Sequence, residues 1–301
     1  MYNIPYIKSR RKGRKMQRYT IKDLDNEFPD DYACLEWIKN HRWPDGIHCK
    51  KCQKITKHHR VKKRTCYECD WCGNQVYPTA GTIFHKSTTP LRTWFQAIYQ
   101  MASTRCGISS KQIERESGVT YKTAWRMFHQ IRKLLDEDVG FLSDQIEVDE
   151  TYIGGKRHGK RGRGAEGKSI VAGIAQRKGK ITALKVSNVK ANTLLPFITR
   201  NVLLPSVVYT DEMPSYRRLK SLGYSHESVH HASKVYVSGN VHTNTIDGFW
   251  SLLKRGINGT YHAISEKYLQ SYINEYVFRY NHRKDETPMF KSFLRQISSF
   301  S

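Results

Sequence analysis

Ile146-Glu147-Val148-Asp149-Glu150-Thr151-Tyr152-Ile153-Gly154-Gly155 is the stretch on which the fold turns. Ile146–Val148 is a short β-type run, and Asp149 ends it. Further short β-type runs lie downstream at Ile170–Ala175, Ile181–Val186 and Val207–Thr210, with loops and helical segments between them. Three hairpin-like strands followed by helix, strand and helix predict an α/β core of the RNase H kind. Asp211 ends the last of these runs as Asp149 ends the first. Both acids are therefore expected at carboxyl edges of strands, where α/β sheets tend to place their sites.

Acids in such positions stand out because the chain is so basic. Lys and Arg number 51 against 27 Asp and Glu, a formal net charge of +24. A surplus spread along the whole sequence predicts a polyanionic partner, and nucleic acid is the usual one. No stretch approaches the roughly 20 apolar residues of a membrane span, and no apolar segment follows the N-terminal charges as in a secretion signal. The expected location is the cytoplasm, without membrane association.

Upstream of the β-type region, residues 90–136 read as helical almost throughout. Leu91, Trp94, Phe95, Ile98 and Met101 recur at helical spacing, as do Trp125, Phe128, Ile131, Leu134 and Leu135. Between these two sets, a short helix, a turn at Gly118 and a second helix presenting Tyr121, Lys122 and Arg126 outward make a helix-turn-helix layout. Earlier still come a basic arm over residues 1–19 and a short helical stretch anchored by Leu24, Phe28, Leu35, Trp37 and Ile38.

Five of the seven cysteines cluster between positions 49 and 72. Cys49-Lys50-Lys51-Cys52 and Cys69-Asp70-Trp71-Cys72 are two knuckles separated by 16 residues, the arrangement that supplies four thiolates to one structural Zn²⁺. Cys66-Tyr67-Glu68-Cys69 offers a competing second knuckle, so spacing leaves the fourth ligand open between Cys66 and Cys72. Gly162 to Ser169 satisfies the phosphate-loop pattern, but that motif needs a helix leaving it. Ile170-Val171-Ala172-Gly173-Ile174 reads as a strand, so ATP is not expected, and a basic loop touching DNA phosphates fits better.

A third acid comes from His242-Thr243-Asn244-Thr245-Ile246-Asp247-Gly248-Phe249-Trp250-Ser251-Leu252-Leu253-Lys254-Arg255. This segment reads as a helix with Asn244 or Thr245 near its cap and Ile246, Phe249, Trp250 and Leu253 on one face. Asp247 lies beside that stripe, so a late helix could complete a site of three carboxylates. Carboxylate oxygens hold the pair of Mg²⁺ or Mn²⁺ ions that phosphodiester cleavage uses. Glu150 and Glu212 adjoin the first two aspartates, and strand geometry points them away.

At these motifs the chain resembles the zinc-ribbon-bearing DDE transposases of bacterial insertion sequences. Val148 to Gly155 and Tyr209-Thr210-Asp211-Glu212 are similar to the family's first two acidic motifs. Asn244 to His262 is similar to the third, and Tyr276 to Arg283 to the closing helix. Cys69 to Cys72 leading into Ala80-Gly81-Thr82-Ile83-Phe84-His85 is similar to the ribbon exit, which makes Cys72 the fourth ligand beside Cys49, Cys52 and Cys69. The family usually carries Glu where this chain has Asp247.

The resemblance implies a multidomain α+β protein. Its parts would be a basic arm (1–19), a short helix with a zinc ribbon (20–88), a helix-turn-helix region (89–140) and an RNase H-like catalytic core (141–295). Asp149, Asp211 and Asp247 would hold two Mg²⁺ or Mn²⁺, and cleavage at terminal inverted repeats would free 3′-hydroxyls for strand transfer into target DNA. Lys254, Arg255, His262, Arg279 and Arg283 would contact phosphates of double-stranded DNA, and paired ends imply a homo-oligomer. The competing reading is a catalytically inactive DNA-binding regulator derived from a transposase.

Overall fold

The computed structural model describes residues 18–154, 168–229 and 242–299. The basic arm before residue 18 and most of the Gly-rich phosphate-loop pattern lie outside the described residues.

Two helices open the described chain, α1 (Ile21–Glu27) and α2 (Asp31–Arg42). Each starts on an acid or hydroxyl that satisfies an orphan N–H of the first turn: Thr20 with Asp23 in a reciprocal capping box, and Asp30 accepting from Ala33. The ribbon follows as very short strands, β1 (His48–Cys49) paired with β2 (Lys54–Ile55), and β3 (His58–Arg60), β4 (Tyr67–Cys69) and β5 (Gln75–Val76) in a second antiparallel sheet. Strands of two or three residues carry little core, so another constraint must hold this part together.

The predicted helical region resolves into α3 (Leu91–Ser103), α4 (Ser110–Ser117) and α5 (Tyr121–Leu134). Ser109 caps α4 and Thr120 caps α5, and between them Gly118 takes φ 68°, the left-handed conformation that glycine tolerates best. Ile113, Ala124, Met127 and Phe128 are buried where the two helices meet the helical core, so the expected helix-turn-helix layout forms.

The α/β core is one five-stranded sheet made of β6 (Leu142–Ile153), β7 (Ser169–Gln176), β8 (Ile181–Val186), β9 (Val202–Thr210) and β10 (Ser225–Ser228). Its order is β10-β9-β6-β7-β8; the β6–β7–β8 pairs are antiparallel, and β9 and β10 join in parallel. This is the RNase H-like arrangement expected from the strand spacing, with β10 as an unforeseen edge strand. β7 leaves the Gly-rich stretch directly as a strand, as the rejection of a phosphate loop required.

Helices cover both faces. Ile146 and Val148 of β6 pack against α6 (Ala191–Asn201) and the 3-10 segment Pro214–Leu222. On the other face Val171, Ala175 and Ile153 meet α7 (Asn244–Arg255) and α8 (Leu269–Asn281).

The last helix, α9 (Met289–Arg295), departs from the expected division of the chain. Phe290, Phe293 and Leu294 pack with Phe28, Phe95 and Ile98 in the N-terminal helical core rather than on the sheet. α9 therefore closes back over α1 and α3. A buried ion cluster adds to this join: Arg132 of α5 and Arg279 of α8 both bond the carboxylate of Glu275, which is 0% exposed. Burial alone would push that carboxyl up, but the two guanidinium groups hold it below its usual range.

Candidate active site and metal centre

β6 and β9 run in parallel with Glu147 opposite Tyr209. Two residues further along each, Asp211 has just left the end of β9, whereas Asp149 is still inside β6, which continues to Ile153 in register with β7; the strand end expected at Asp149 is therefore a correction. Asp247 comes from the first turn of α7, which lies on the face of β6 that carries Asp149. Asp247 thereby lies within electrostatic reach of Asp149, and Asp211 follows the strand next to β6.

Each acid is held by a specific donor. Trp250 Nε1 donates to Asp149 Oδ2 at 2.9 Å, the Thr243 hydroxyl donates to Asp247 Oδ2 at 3.0 Å, and the Met213 N–H donates to Asp211 Oδ1 at 3.0 Å. The titration of Asp149 is strongly perturbed. Burial first, then the charges of Glu150 and Asp247, push its carboxyl up to about 7, against the lowering effect of the Trp250 N–H. Glu150 does point to the opposite face of β6, as strand geometry requires. There the buried Tyr216 hydroxyl donates to it at 2.9 Å, yet its charge still reaches Asp149.

Asp149 Oδ2 can meet the indole because Gly173 lies opposite it in the β6–β7 register. A Cβ on Gly173 would sit 2.6 Å from Trp250 ring atoms, so only a residue without one lets the indole lie flat on the sheet. Gly173→Ala should therefore lower the unfolding free energy by about 1–3 kcal/mol, the usual range for overpacking a tight contact. Urea denaturation checks this, and an unchanged midpoint would mean that α7 lifts off the sheet at no cost.

Sequence reading passed over Glu147, which turns out to be the most heavily bonded acid here. It is 0% exposed and accepts from the backbone N–H groups of Thr245 and Ile246 and from the Thr245 hydroxyl. Arg177 Nε donates to it as well, at 2.8 Å. Asn244 and Thr245 do lie near the helix cap, immediately after Thr243 in the cap position, and the capping oxygens come from a strand roughly a hundred residues earlier. The available signal was period two, which places Glu147 on the same face of β6 as Asp149.

The basic residues expected to touch DNA fall into two groups. Tyr121 is 44% exposed at the start of α5, with Lys122 and Arg126 exposed beside it. Lys254 and Arg255 are exposed at the end of α7, His262 is exposed beyond it, and Arg283 stacks on the Tyr280 ring at 3.5 Å. Arg279 is a correction. It is 7% exposed, bonds Glu275, and donates to the carbonyls of Thr104 and Met101, so its guanidinium is consumed inside the protein. A fully buried carboxylate needs compensating cations, and Arg279 serves as one of them.

In the ribbon, the Sγ atoms of Cys49, Cys52, Cys69 and Cys72 lie within 4.8 Å of one another, the one such cluster of metal-binding side chains among the described residues. Cys66 is buried apart from them, so geometry decides between the two knuckles in favour of Cys72. Thr56 Oγ1 lies 3.1 Å from Cys69 Sγ, and that contact, first among several, draws the Cys69 thiol down to about 6. Four converging thiols, one already biased to thiolate, fit a tetrahedral zinc site with no open position. The three aspartates form no comparably tight group, and a pair of ions several ångströms apart would need a broader spread of oxygens.

Fold and site together define a class: a ribbon-bearing protein whose RNase H-like sheet carries one acid within its central strand, a second just past the parallel strand beside it and a third on a helix packed against the sheet. Comparison with known proteins agrees. The ISXO2-like transposase domain matches residues 141–281, and the transposase zinc-ribbon domain matches residues 29–75. An uncharacterized protein in transposable element ISH50 of Halobacterium salinarum is 28% identical over 274 residues, 84% of this chain and 91% of the relative. An uncharacterized transposase-like protein of Haemophilus influenzae is 30% identical over 120 residues, 40% of this chain and 94% of the relative. This chain belongs to the ISXO2-like, zinc-ribbon-bearing transposase family of insertion sequences. Among solved structures, the Mos1 strand transfer complex aligns at 12% identity over 68% of this chain and 74% of that one, with a TM-score of 0.30, too low to carry weight.

Proposed function

We propose that the protein binds the terminal inverted repeats of its own insertion sequence and catalyses metal-dependent strand cleavage and strand transfer there. The observation that carries the reading is the state of Asp149. Its carboxyl is pushed up to about 7 by burial first and then by the charges of Glu150 and Asp247, so further acids lie within electrostatic reach of it. In a chain of net charge +24, that is the place where divalent cations fit.

Asp149, Asp211 and Asp247 would hold two Mg²⁺ or Mn²⁺, which when bound supply Lewis acidity and a nucleophilic water at neutral pH. The protein's own part is positional. Trp250 orients Asp149 and Thr243 orients Asp247, while the covered sheet faces exclude water from behind the acids. Tyr121, Lys122 and Arg126 on the exposed side of α5 are suited to a DNA groove and its phosphates. Lys254, Arg255, His262 and Arg283 would extend the contact toward the acids. Two element ends cut in concert call for a homo-oligomer on DNA. Among the described residues no helix is long and apolar enough to cross a membrane.

A second reading, an inactive DNA-binding regulator, draws on Asp247. It stands exposed in the third acidic place with a side chain one methylene shorter than the family's usual Glu. Cleavage of a labelled DNA carrying the element end, run in Mg²⁺ and then Mn²⁺ for wild type and Asp247→Glu, separates the two. The enzyme reading expects a nick at the end in wild type, with Mn²⁺ at least as effective. Tight binding with no cut by either protein in either metal would leave only the regulator.

A further inference from the structure

We infer that Glu147 is a positioning residue that sets the distance between Asp149 and Asp247, an assignment that rests on the metal-dependent reading above. Along β6, side chains two apart share a face, so Glu147 and Asp149 both look toward α7. Glu147 is completely buried, and a buried carboxylate is strongly unfavourable unless its lone pairs are filled. They are filled by the start of α7. The N–H groups of Thr245 and Ile246 reach Glu147 Oε2 at 2.7 and 3.1 Å, and the Thr245 hydroxyl reaches Oε1 at 3.0 Å. These N–H groups occupy the second and third positions of the helix, whose orphan donors and positive dipole end favour an anion.

Arg177 completes the clamp. Its Nε donates to Glu147 at 2.8 Å, one terminal N–H donates to the His242 carbonyl at 2.7 Å, and its guanidinium lies 4.0 Å from the centre of the Tyr209 ring. The segment entering α7 and the helix itself are thereby tied to one buried carboxylate.

Asp247 sits one residue beyond the second clamped N–H, and its own N–H bonds the Thr243 carbonyl at 3.0 Å. The next turn carries Trp250, bonded to Asp149. Asp247 is thus held between two ties to the same strand, Glu147 before it and Asp149 after it. α7 cannot slide along its axis without stripping donors from a buried charge. Because Asp reaches one methylene less far than Glu, the backbone of α7 must supply the approach, and Glu147 is what fixes that backbone.

The test uses the full-length protein. Mn²⁺ binding is followed by the electron paramagnetic resonance of free Mn²⁺, with Asp149→Asn identifying the signal from this site. Cleavage of element-end DNA against Mn²⁺ concentration is the second readout. Glu147→Gln keeps the shape but removes the charge, and should raise the half-saturating Mn²⁺ concentration about tenfold, as loss of a group supporting metal ligands typically does. Affinity for end DNA should not change. Thr245→Val keeps both backbone donors and loses only the hydroxyl, so it should show a shift of about two- to threefold in the same direction; this variant decides the matter if Glu147→Gln does not fold. Wild-type Mn²⁺ saturation in a folded Glu147→Gln, or in Thr245→Val where that is the variant available, overturns the assignment of Glu147 while leaving the cleavage reading intact. Absence in wild type of any Mn²⁺ signal that Asp149→Asn removes, together with absence of cleavage, overturns the cleavage reading itself.

Discussion

Asp149→Asn should abolish cleavage, leave end-DNA binding intact, and make the protein more stable above neutral pH. The first effect is expected at about 10⁴-fold, the scale of losing a group that acts at the reacting centre. The second follows because Asp149 lies within β6 of the sheet and is not among the exposed residues of α5, Tyr121 and Lys122, proposed to touch DNA. The third follows from proton linkage. In the unfolded chain an Asp titrates near 3.9, while Asp149 in the folded protein titrates at about 7. Between those values the folded state binds the extra proton, so stability falls as pH rises through this window. Above about pH 7 the full penalty of an ionised, crowded carboxylate is present, on the order of 2–4 kcal/mol for a shift of this size. Asn avoids the penalty and can still accept the Trp250 N–H.

Melting curves without added divalent metal check this. The advantage of Asp149→Asn over wild type should grow from pH 5 to about pH 7 and then level off. Adding Mn²⁺ should narrow the gap by stabilising wild type alone. An advantage that is the same at pH 5 and pH 8 would show that Asp149 titrates as an ordinary carboxyl, and cleavage surviving in the variant would remove it from the chemistry.

The other large effect is expected at the ribbon. Its strands are two or three residues long, and between Gly46 and Val76 the buried apolar side chains are Ile47, Tyr67 and the cysteines 49, 66 and 69. So small a core cannot offset the entropy of ordering the segment, and a structural Zn²⁺, whose binding contributes about 10–16 kcal/mol in comparable sites, can. Cys72→Ser should lose bound zinc and open residues 46–76 to trypsin at Lys50, Lys51, Lys54 and Lys57, while the sheet core stays resistant. Cys66→Ser should keep a full equivalent of zinc, because its sulfur is not part of the four-thiol cluster. Zinc content by atomic absorption separates the two, and the reverse pattern would assign the fourth ligand to Cys66. Ile47 and Tyr67 pack into the helical core, so loss of zinc should also loosen α2 and α3 in hydrogen exchange.

Most of the architecture was legible because it depends on short-range pattern. β7 and β8 were visible as apolar β-branched runs, α3 and α5 as stripes at helical spacing, and the turn between α4 and α5 as a glycine between two capped segments. The zinc knuckles were legible for the same reason, since two residues between cysteines already bring two sulfurs together. β10 was missed because Ser225-His226-Glu227-Ser228 has no apolar pattern; it is a strand only because β9 offers it an edge to pair with.

The site was legible in part. Asp149, Asp211 and Asp247 could be chosen because they stand in or beside recognisable elements, but their supports could not. Nothing local marks Trp250 as more than a member of an apolar stripe, Gly173 as its landing place, or Glu147 as the cap of a helix roughly a hundred residues away. Arg279 read as one more exposed cation because helical periodicity does not reveal an acid one turn earlier that is completely enclosed.

By itself, the sequence determined most of the elements, the ribbon ligands apart from the choice between Cys66 and Cys72, and the strand end just before Asp211. These are consequences of backbone geometry and of side-chain spacing along a few residues. Only the tertiary structure decided which carboxylates are raised, clamped or neutralised, and that α9 closes over α1 and α3. Those outcomes depend on what is buried against what, and burial is a property of the assembled layers.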